Sequence, residues 1–238
     1  MAFGENNFEK YDKKISKIRG RLHPATARAT MFLLTAQKNK GIKGNLLEIG
    51  VLGGRHLAMM SLFANDGAKA FGIDPFYLEG TSPAQVMASL TGAACDRNVE
   101  IVKSRSDKIS IDEYRSRFGP VRFMHIDGSH QYADVVKDLA IADNIVSEDG
   151  LLSFDDFLNP YWIGVTQAIF DYMKDTPETT FRPIAYCRNK LFLCRETHLD
   201  FYSRQFSAFI EEFGAELKIT GATDRISEIF GTKIPVLF

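Results

Sequence analysis

Over residues 45–192 the chain alternates short continuous apolar runs with segments whose apolar residues recur at helical spacing. That alternation is the pattern of a parallel sheet with crossover helices. A strand in such a sheet is covered on both faces, so its apolar run is not interrupted by a polar side. Residues 46–50 (LLEIG) read as a first strand entering a glycine turn, and 56–65 as the helix after it. Residues 70–74 (AFGID) and 99–103 read as the second and third strands. Between them Ser82 and Pro83 read as an N-cap and a first-turn proline opening a helix toward Cys95. The fourth strand is 121–127 (VRFMHID), followed by Val135, Leu139, Ala142 and Val146 at spacings of 4, 3 and 4, one face of a helix. Residues 150–154 read as a fifth strand, 165–173 as a helix, and 184–187 with 191–194 as a hairpin turning at 188–190. The expected fold is α/β: a doubly wound, mostly parallel sheet ending in an antiparallel hairpin. Residues 1–44 read as an N-terminal helical segment ahead of a domain over 45–238, a single domain overall. Tyr202, Phe206, Phe209 and Phe213 mark a late amphipathic helix, and residues after Lys218 are ambiguous.

Composition removes several classes of partner. Among 238 residues, 29 Lys plus Arg oppose 30 Asp plus Glu, interleaved and without a basic run. The electrostatic footprint of a nucleic-acid or anionic-membrane binder is therefore absent. The longest charge-free run, 80–95, is too short and polar to span a bilayer. The first residues lack the apolar core of a signal peptide, which points to the cytoplasm. Cys95, Cys187 and Cys194 are odd in number and form no C-x-x-C, so they read as buried small hydrophobes rather than a disulfide framework or zinc site.

In an open α/β sheet, ligands bind beyond the carboxyl ends of the strands, so those ends are where chemistry is sought. The first strand ends in Glu48-Ile49-Gly50-Val51-Leu52-Gly53-Gly54, where Gly50 and Gly54 allow close backbone approach. Asp74, 20 residues beyond Gly54, is placed to accept hydrogen bonds from ribose hydroxyls. The loop does not fit G-x-G-x-x-G, and no G-x-x-x-x-G-K-[ST] occurs, which disfavours dinucleotides and nucleoside triphosphates. A tight strand-to-helix turn would also explain the glycines. The fourth strand ends in Asp127-Gly128-Ser129-His130 and the fifth in Asp155-Asp156, three carboxylates and an imidazole at one rim. Clustered carboxylates repel, and a hard divalent cation with oxygen ligands, magnesium above all, relieves the repulsion. Helix capping is the plainer alternative for each acid. His125 reads as packed inside its strand, and His23 and His198 as surface or hinge residues.

These segments, LLEIGVLGGRHL (46–57), FGIDPF (71–76) and VRFMHIDGSHQYADVVKDL through GLLSFDDF (121–157), resemble the class I S-adenosylmethionine-dependent methyltransferases. Within them the resemblance is to the metal-dependent small-molecule O-methyltransferases, most of all those acting on macrolide sugars and related antibiotics. It spans residues 45 to about 195 and implies the Rossmann-like methyltransferase fold. It further implies that Glu48, Gly50 and Gly54 shape the methionine pocket, that Asp74 holds the ribose, and that Ser106 and Asp107 border the adenine. Asp127, Asp155 and Asp156 match the metal ligands, Asp127 also bordering the cofactor, and His130 matches the general base. This chain departs from the family pattern at His56, where Ser or Thr usually stands near the cofactor carboxylate. It departs again at Ser104-Arg105-Ser106, where Gly-Asp-Ser is usual.

The resulting expectation is an S-adenosylmethionine- and Mg2+-dependent O-methyltransferase acting on a small-molecule hydroxyl, in particular on a sugar or sugar-bearing natural product. Catechol-type relatives normally carry lysine in the role of His130, which favours the sugar-type hydroxyl. A nicotinamide oxidoreductase would need a phosphate loop that is missing. A non-catalytic nucleotide-binding protein of this fold is the other alternative, and residues 234–238 could join a partner, including a second copy, or pack on their own domain. The acceptor itself is not legible; the N-terminal helices, the loop 76–81 and Asn159-Pro160-Tyr161-Trp162 are the segments expected to choose it. Tyr161 and Trp162 are the candidate substrate contacts, Trp162 offering an apolar wall or else a core anchor.

Overall fold

A computed structural model describes residues 5–64, 67–218 and 225–237. The helices α1 (Glu5–Lys13) and α2 (Pro24–Lys40) precede β1 (Asn45–Ile49) and α3 (Arg55–Ser61). Next come β2 (Ala70–Asp74), α4 (Pro83–Gly92) and β3 (Val99–Lys103). The short helix α5 (Ile111–Glu113), β4 (Val121–Ile126), α6 (Tyr132–Ile145), β5 (Val146–Phe154) and α7 (Ile163–Asp175) follow. The described chain ends with β6 (Phe181–Cys187), β7 (Lys190–Arg195), α8 (Leu199–Phe213), β8 (Ile226–Ile229) and β9 (Thr232–Leu237).

The strands form one sheet in the order β3-β2-β1-β4-β5-β7-β6-β9-β8. The first five strands are parallel, with Leu47 paired to both Phe71 and Met124, and Met124 to Leu152. Strand β7 runs antiparallel between β5 and β6. Successive side chains of a strand face opposite sides, and β1 shows it: Leu46 joins one core cluster with Phe32, Phe123, Phe206 and Phe209. Leu47 joins the other, with Met124, Leu139, Val165 and Ile169. Helices α2 and α8 thus cover one face, and α6 and α7 the other. The strand order reverses between β1 and β4, which opens a crevice at their carboxyl ends.

Local chemistry sets the joints. Ser82 accepts the Gln85 amide, with Pro83 at the first position of α4. His23 caps α2 by accepting the Ala25 amide, and Gly41 at φ 80° closes that helix. Some expectations are corrected. The helix after β1 ends at Ser61, while residue 65 lies outside the described residues. Val146 does not continue the face of α6: it starts β5, because β4 reaches it through the Val121–Val146 pairing. The hairpin is not the end of the sheet, since β9 adds parallel to β6 through Tyr186–Val236 and carries β8 on its far side. Ile234 and Leu237 are buried there. The three cysteines are free and buried. Among the described residues no helix is long and apolar enough to cross a membrane.

Candidate active site

At the end of β1, Gly50 adopts φ 88°, and a Cβ there would stand 1.9 Å from the carbonyl oxygen of Asp127. Only glycine lets the two strand ends approach this closely. Gly54, at φ 91°, begins α3 and would press a Cβ onto Val86 of α4. Asp74, ending β2, accepts the amides of Val51 (2.8 Å) and Leu52 (3.1 Å) on Oδ2 and that of Phe76 (2.5 Å) on Oδ1. The acid therefore shapes the glycine loop, three backbone donors fixing its carboxylate.

Beyond β4 and β5, His130 Nε2 lies 2.8 Å from Asp156 Oδ2 and 3.7 Å from Asp127 Oδ1. The Asp127 and Asp156 carboxylates push the imidazole up to about 9. Its ring stacks on Trp162 at 4.3 Å between centroids and 16° between planes. Asp156 Oδ1 accepts from Asn159 and Asn189. Burial pushes Asp156 upward, but its His130, Asn159 and Asn189 partners outweigh that and hold it below the ordinary carboxylate value. Asp127 is raised, by desolvation first and by the neighbouring Asp155 charge second. Ligating atoms of Asp127, His130 and Asp156 lie within 4.8 Å of one another, as do those of His125, Asp127 and Asp155.

Asp155 is 8% exposed and pairs with a residue that the sequence reading missed: Lys190, 1% exposed, whose Nζ is 2.8 Å from Asp155 Oδ2. Behind it lies a buried polar seam. Lys190 reaches His125 Nε2 at 3.2 Å, and His125 Nδ1 is 2.8 Å from Ser153 Oγ. The His125 ring lies against that of His56, centroids 3.8 Å apart and planes tilted by 35°, and His56 Nδ1 is 3.2 Å from Glu48 Oε1. Burial holds both histidines neutral and raises the Glu48 carboxyl well above its usual range. Glu48 Oε2 and both ring nitrogens of His56 make no hydrogen bond of normal geometry. Buried polar atoms are seldom left so, and a ligand with both donors and acceptors would satisfy them.

Ser106 and Asp107 are held by other partners. Asp107 is held by Arg105 (2.8 Å) and Lys137 (3.2 Å), the Arg105 hydrogen bonds keeping its carboxyl well below the usual range. The Ser106 carbonyl accepts the Tyr114 hydroxyl. Tyr161 is 86% and Trp162 39% exposed, beside exposed Leu158 and Ile163. Asn189 also escaped the sequence reading, while His56 was noted only as a departure near the cofactor carboxylate and Asn159 only within the substrate-choosing segment 159–162; for Lys190 there was no local signal.

A methyltransferase-domain family profile matches residues 47–157. No curated protein matches the sequence. Similar solved structures include the O-methyltransferase NovP, at 15% identity over 71% of this chain and 80% of that one, TM-score 0.59. CalS11, a TDP-rhamnose 3'-O-methyltransferase of calicheamicin biosynthesis, is 18% identical over 79% of this chain and 93% of that one, TM-score 0.57. An O-methyltransferase from Bacillus cereus in complex with SAH is 13% identical over 80% and 91%, TM-score 0.57. The methyltransferase-domain model thus matches residues 47–157, and the fold of the chain is the one these O-methyltransferases have.

Proposed function

We propose that the protein is an S-adenosylmethionine-dependent O-methyltransferase that uses a divalent cation and methylates a hydroxyl of a small molecule, in particular a sugar or sugar-bearing natural product. The observation that carries this is the contact of Gly50 with the Asp127 carbonyl. It sets the glycine-loop crevice directly against the rim of acids and imidazole, as a transfer between two bound molecules requires. The donor sets fit both groups. The unmatched atoms of Glu48 and His56 suit a zwitterionic amino-acid end. Asp127, Asp155 and Asp156 crowd one rim, where burial first and the Asp155 charge second raise Asp127, and a cation would offset the crowded charge. S-adenosylmethionine supplies the methyl group, and a divalent cation such as Mg2+ supplies positive charge beside the acceptor hydroxyl.

The chain's own residues do the rest. Asp74 and Gly50 position the nucleoside end, and Glu48, Gly54 and His56 the amino-acid end. Ser106 and Asp107, at the end of β3, lie on the adenine side. Asp127, Asp155 and Asp156 form the carboxylate rim that holds the cation. His130 would take the hydroxyl proton on Nε2, the ring nitrogen that faces Asp127 and Asp156. Trp162 fixes the plane of that imidazole and, with Tyr161, offers an apolar wall to the ring bearing the hydroxyl. The sugar reading draws on the histidine and on the nucleotide-sugar substrate in the name of CalS11.

Methyl transfer from labelled cofactor to a panel of glycosides and phenols tests the reading. Turnover should stop in chelator and return with Mg2+. His130→Ala should lower it by roughly 10²–10⁴-fold with cofactor binding unchanged. Full turnover in excess chelator removes the cation, and near-normal turnover of the Ala variant removes the base.

A further inference from the structure

Antiparallel pairing decides what comes to meet the acid pair at the end of β5. Strand β7 runs against β5 with Leu191 opposite Phe154, so the chain enters β7 beside the point where β5 leaves the sheet. The turn before β7, Arg188-Asn189, is thereby set against Asp155 and Asp156. Cys187 pairs with Lys190, which makes the connection a two-residue hairpin loop. Its left-handed position, where glycine or asparagine is favoured, is held by Arg188 at φ 62°. Asn189 is therefore not there to relieve that backbone strain.

Its polar groups go across to the acid pair instead. Asn189 Nδ2 donates to Asp156 Oδ1 at 3.2 Å, and its carbonyl accepts the Phe157 amide at 3.0 Å. The stretch it grips needs holding, because Asp156 at φ 58° and Leu158 at φ 59° both lie in the left-handed region. Such residues persist only where their surroundings over-determine them. Asn159 donates to the same Oδ1 at 2.6 Å from within the loop, whereas Asn189 brings its amide from another strand. The turn is anchored in its own right, Arg188 N donating to the Leu237 carbonyl of β9 at 2.7 Å. With Oδ1 held by two amides the carboxylate cannot swing, and Oδ2 stays turned toward His130 Nε2 at 2.8 Å, on the side it shares with Asp127.

We propose that Asn189 is a positioning residue of the candidate metal centre: from the hairpin it fixes the rotation of the Asp156 carboxylate, so that Oδ2 is presented to a divalent cation beside Asp127. This rests on the reading of the rim as a cation site. It gives the β6–β7 turn a duty in the reaction, although the turn stands 33 residues beyond the acid it orients.

Mn2+ binding to the full chain, followed by the electron-spin resonance of free Mn2+, tests the assignment without turnover. Asn189→Ala keeps the main-chain contact with Phe157 and removes only the side-chain amide. Groups that orient a metal ligand typically account for roughly 10–100-fold in affinity, and Asn159 still holds the same oxygen, so the expected loss is about tenfold. Affinity for S-adenosylhomocysteine, read by calorimetry, should stay within about twofold, which a general loosening of the loop would not allow. Asp156→Gly suits φ 58° and removes the carboxylate altogether. In that background, itself weaker by at least about tenfold, Asn189→Ala should cost no more than about twofold, because its effect runs through Asp156. Wild-type Mn2+ affinity in Asn189→Ala overturns the assignment and leaves the metal reading intact. An undiminished loss in the Asp156→Gly background, or equal losses of Mn2+ and S-adenosylhomocysteine, shows that the amide merely supports the loop and overturns it as well. A wild type that binds no Mn2+ removes the metal reading and the assignment together.

Discussion

Asp138 should give the protein a stability that falls as pH rises from 3.8 to about 7, and Asp138→Asn should remove that dependence. The residue lies on the inner face of α6, 1% exposed, with Oδ2 3.6 Å from the position of a Cβ on Gly128. No hydrogen bond of normal geometry reaches either carboxyl oxygen. Burial pushes the carboxyl from 3.8 up to about 7, the Asp134 and Asp107 charges adding to the rise and the nearby Ser106 hydroxyl and Arg105 opposing it. Below pH 3.8 the folded and unfolded chains are both protonated, and the group costs nothing. Between that value and about 7 the unfolded chain releases its proton first, so folding loses about 1.4 kcal/mol per pH unit. Above that window the whole difference, about 4 kcal/mol, opposes the folded state. This is a ceiling, because any shift of the ionised side chain toward Ser106 or water reduces it. Asparagine has nearly the same shape and no proton to lose. Urea unfolding followed by circular dichroism at pH 5 and 8 should show the Asn variant gaining on the wild type as pH rises, by at least about 1 kcal/mol between the two. Parallel pH profiles, or a wild type that gains on the variant, would show that the folded state already holds Asp138 ionised and would refute the reasoning.

Gly50→Ala forces a Cβ toward the Asp127 carbonyl, a backbone atom that cannot swing aside, at a φ that alanine disfavours by about 1–2 kcal/mol. Calorimetry should therefore show weaker binding of both S-adenosylhomocysteine and Mn2+, and unchanged Mn2+ affinity would mean that the crevice and the acid rim do not share this contact. Asp74→Ala removes the carboxylate proposed to accept from the ribose, at the far side of the loop. It should lower S-adenosylhomocysteine affinity tenfold or more, each charged hydrogen bond contributing about 1.5–3 kcal/mol, and leave Mn2+ binding alone. Equal losses of both ligands would instead mean that the variant collapses the loop held at Val51 and Leu52.

Strand β2 was legible because burial writes itself as an apolar run, and 70–74 matches it to the residue; the edge strand β3 at 99–103 matches as well, although Glu100 and Lys103 interrupt its run and none of its residues is fully buried. The acid rim was legible too, since D-G-S-H and D-D fall where such runs stop. Helix periodicity misled at Val146, where an aliphatic residue at the next helical position is taken by β5 through pairing with Val121. Strands β8 and β9 were illegible because a short strand at a sheet edge depends on its neighbour, here β6, more than on its own pattern.

What the sequence by itself determined is which elements form and which residues stand at the carboxyl ends of the strands, because periodicity and turn chemistry are local properties. Only the tertiary structure decided how those residues are charged and paired. The His130 imidazole is pushed up because Asp127 at 3.7 Å and Asp156, 26 residues on, at 2.8 Å both face it. Asp155 is neutralised because β7 returns antiparallel beside β5 and buries Lys190 against it. Protonation and pairing are set by desolvation and by neighbouring charges, and those neighbours arrive from distant parts of the chain only when the sheet closes around them.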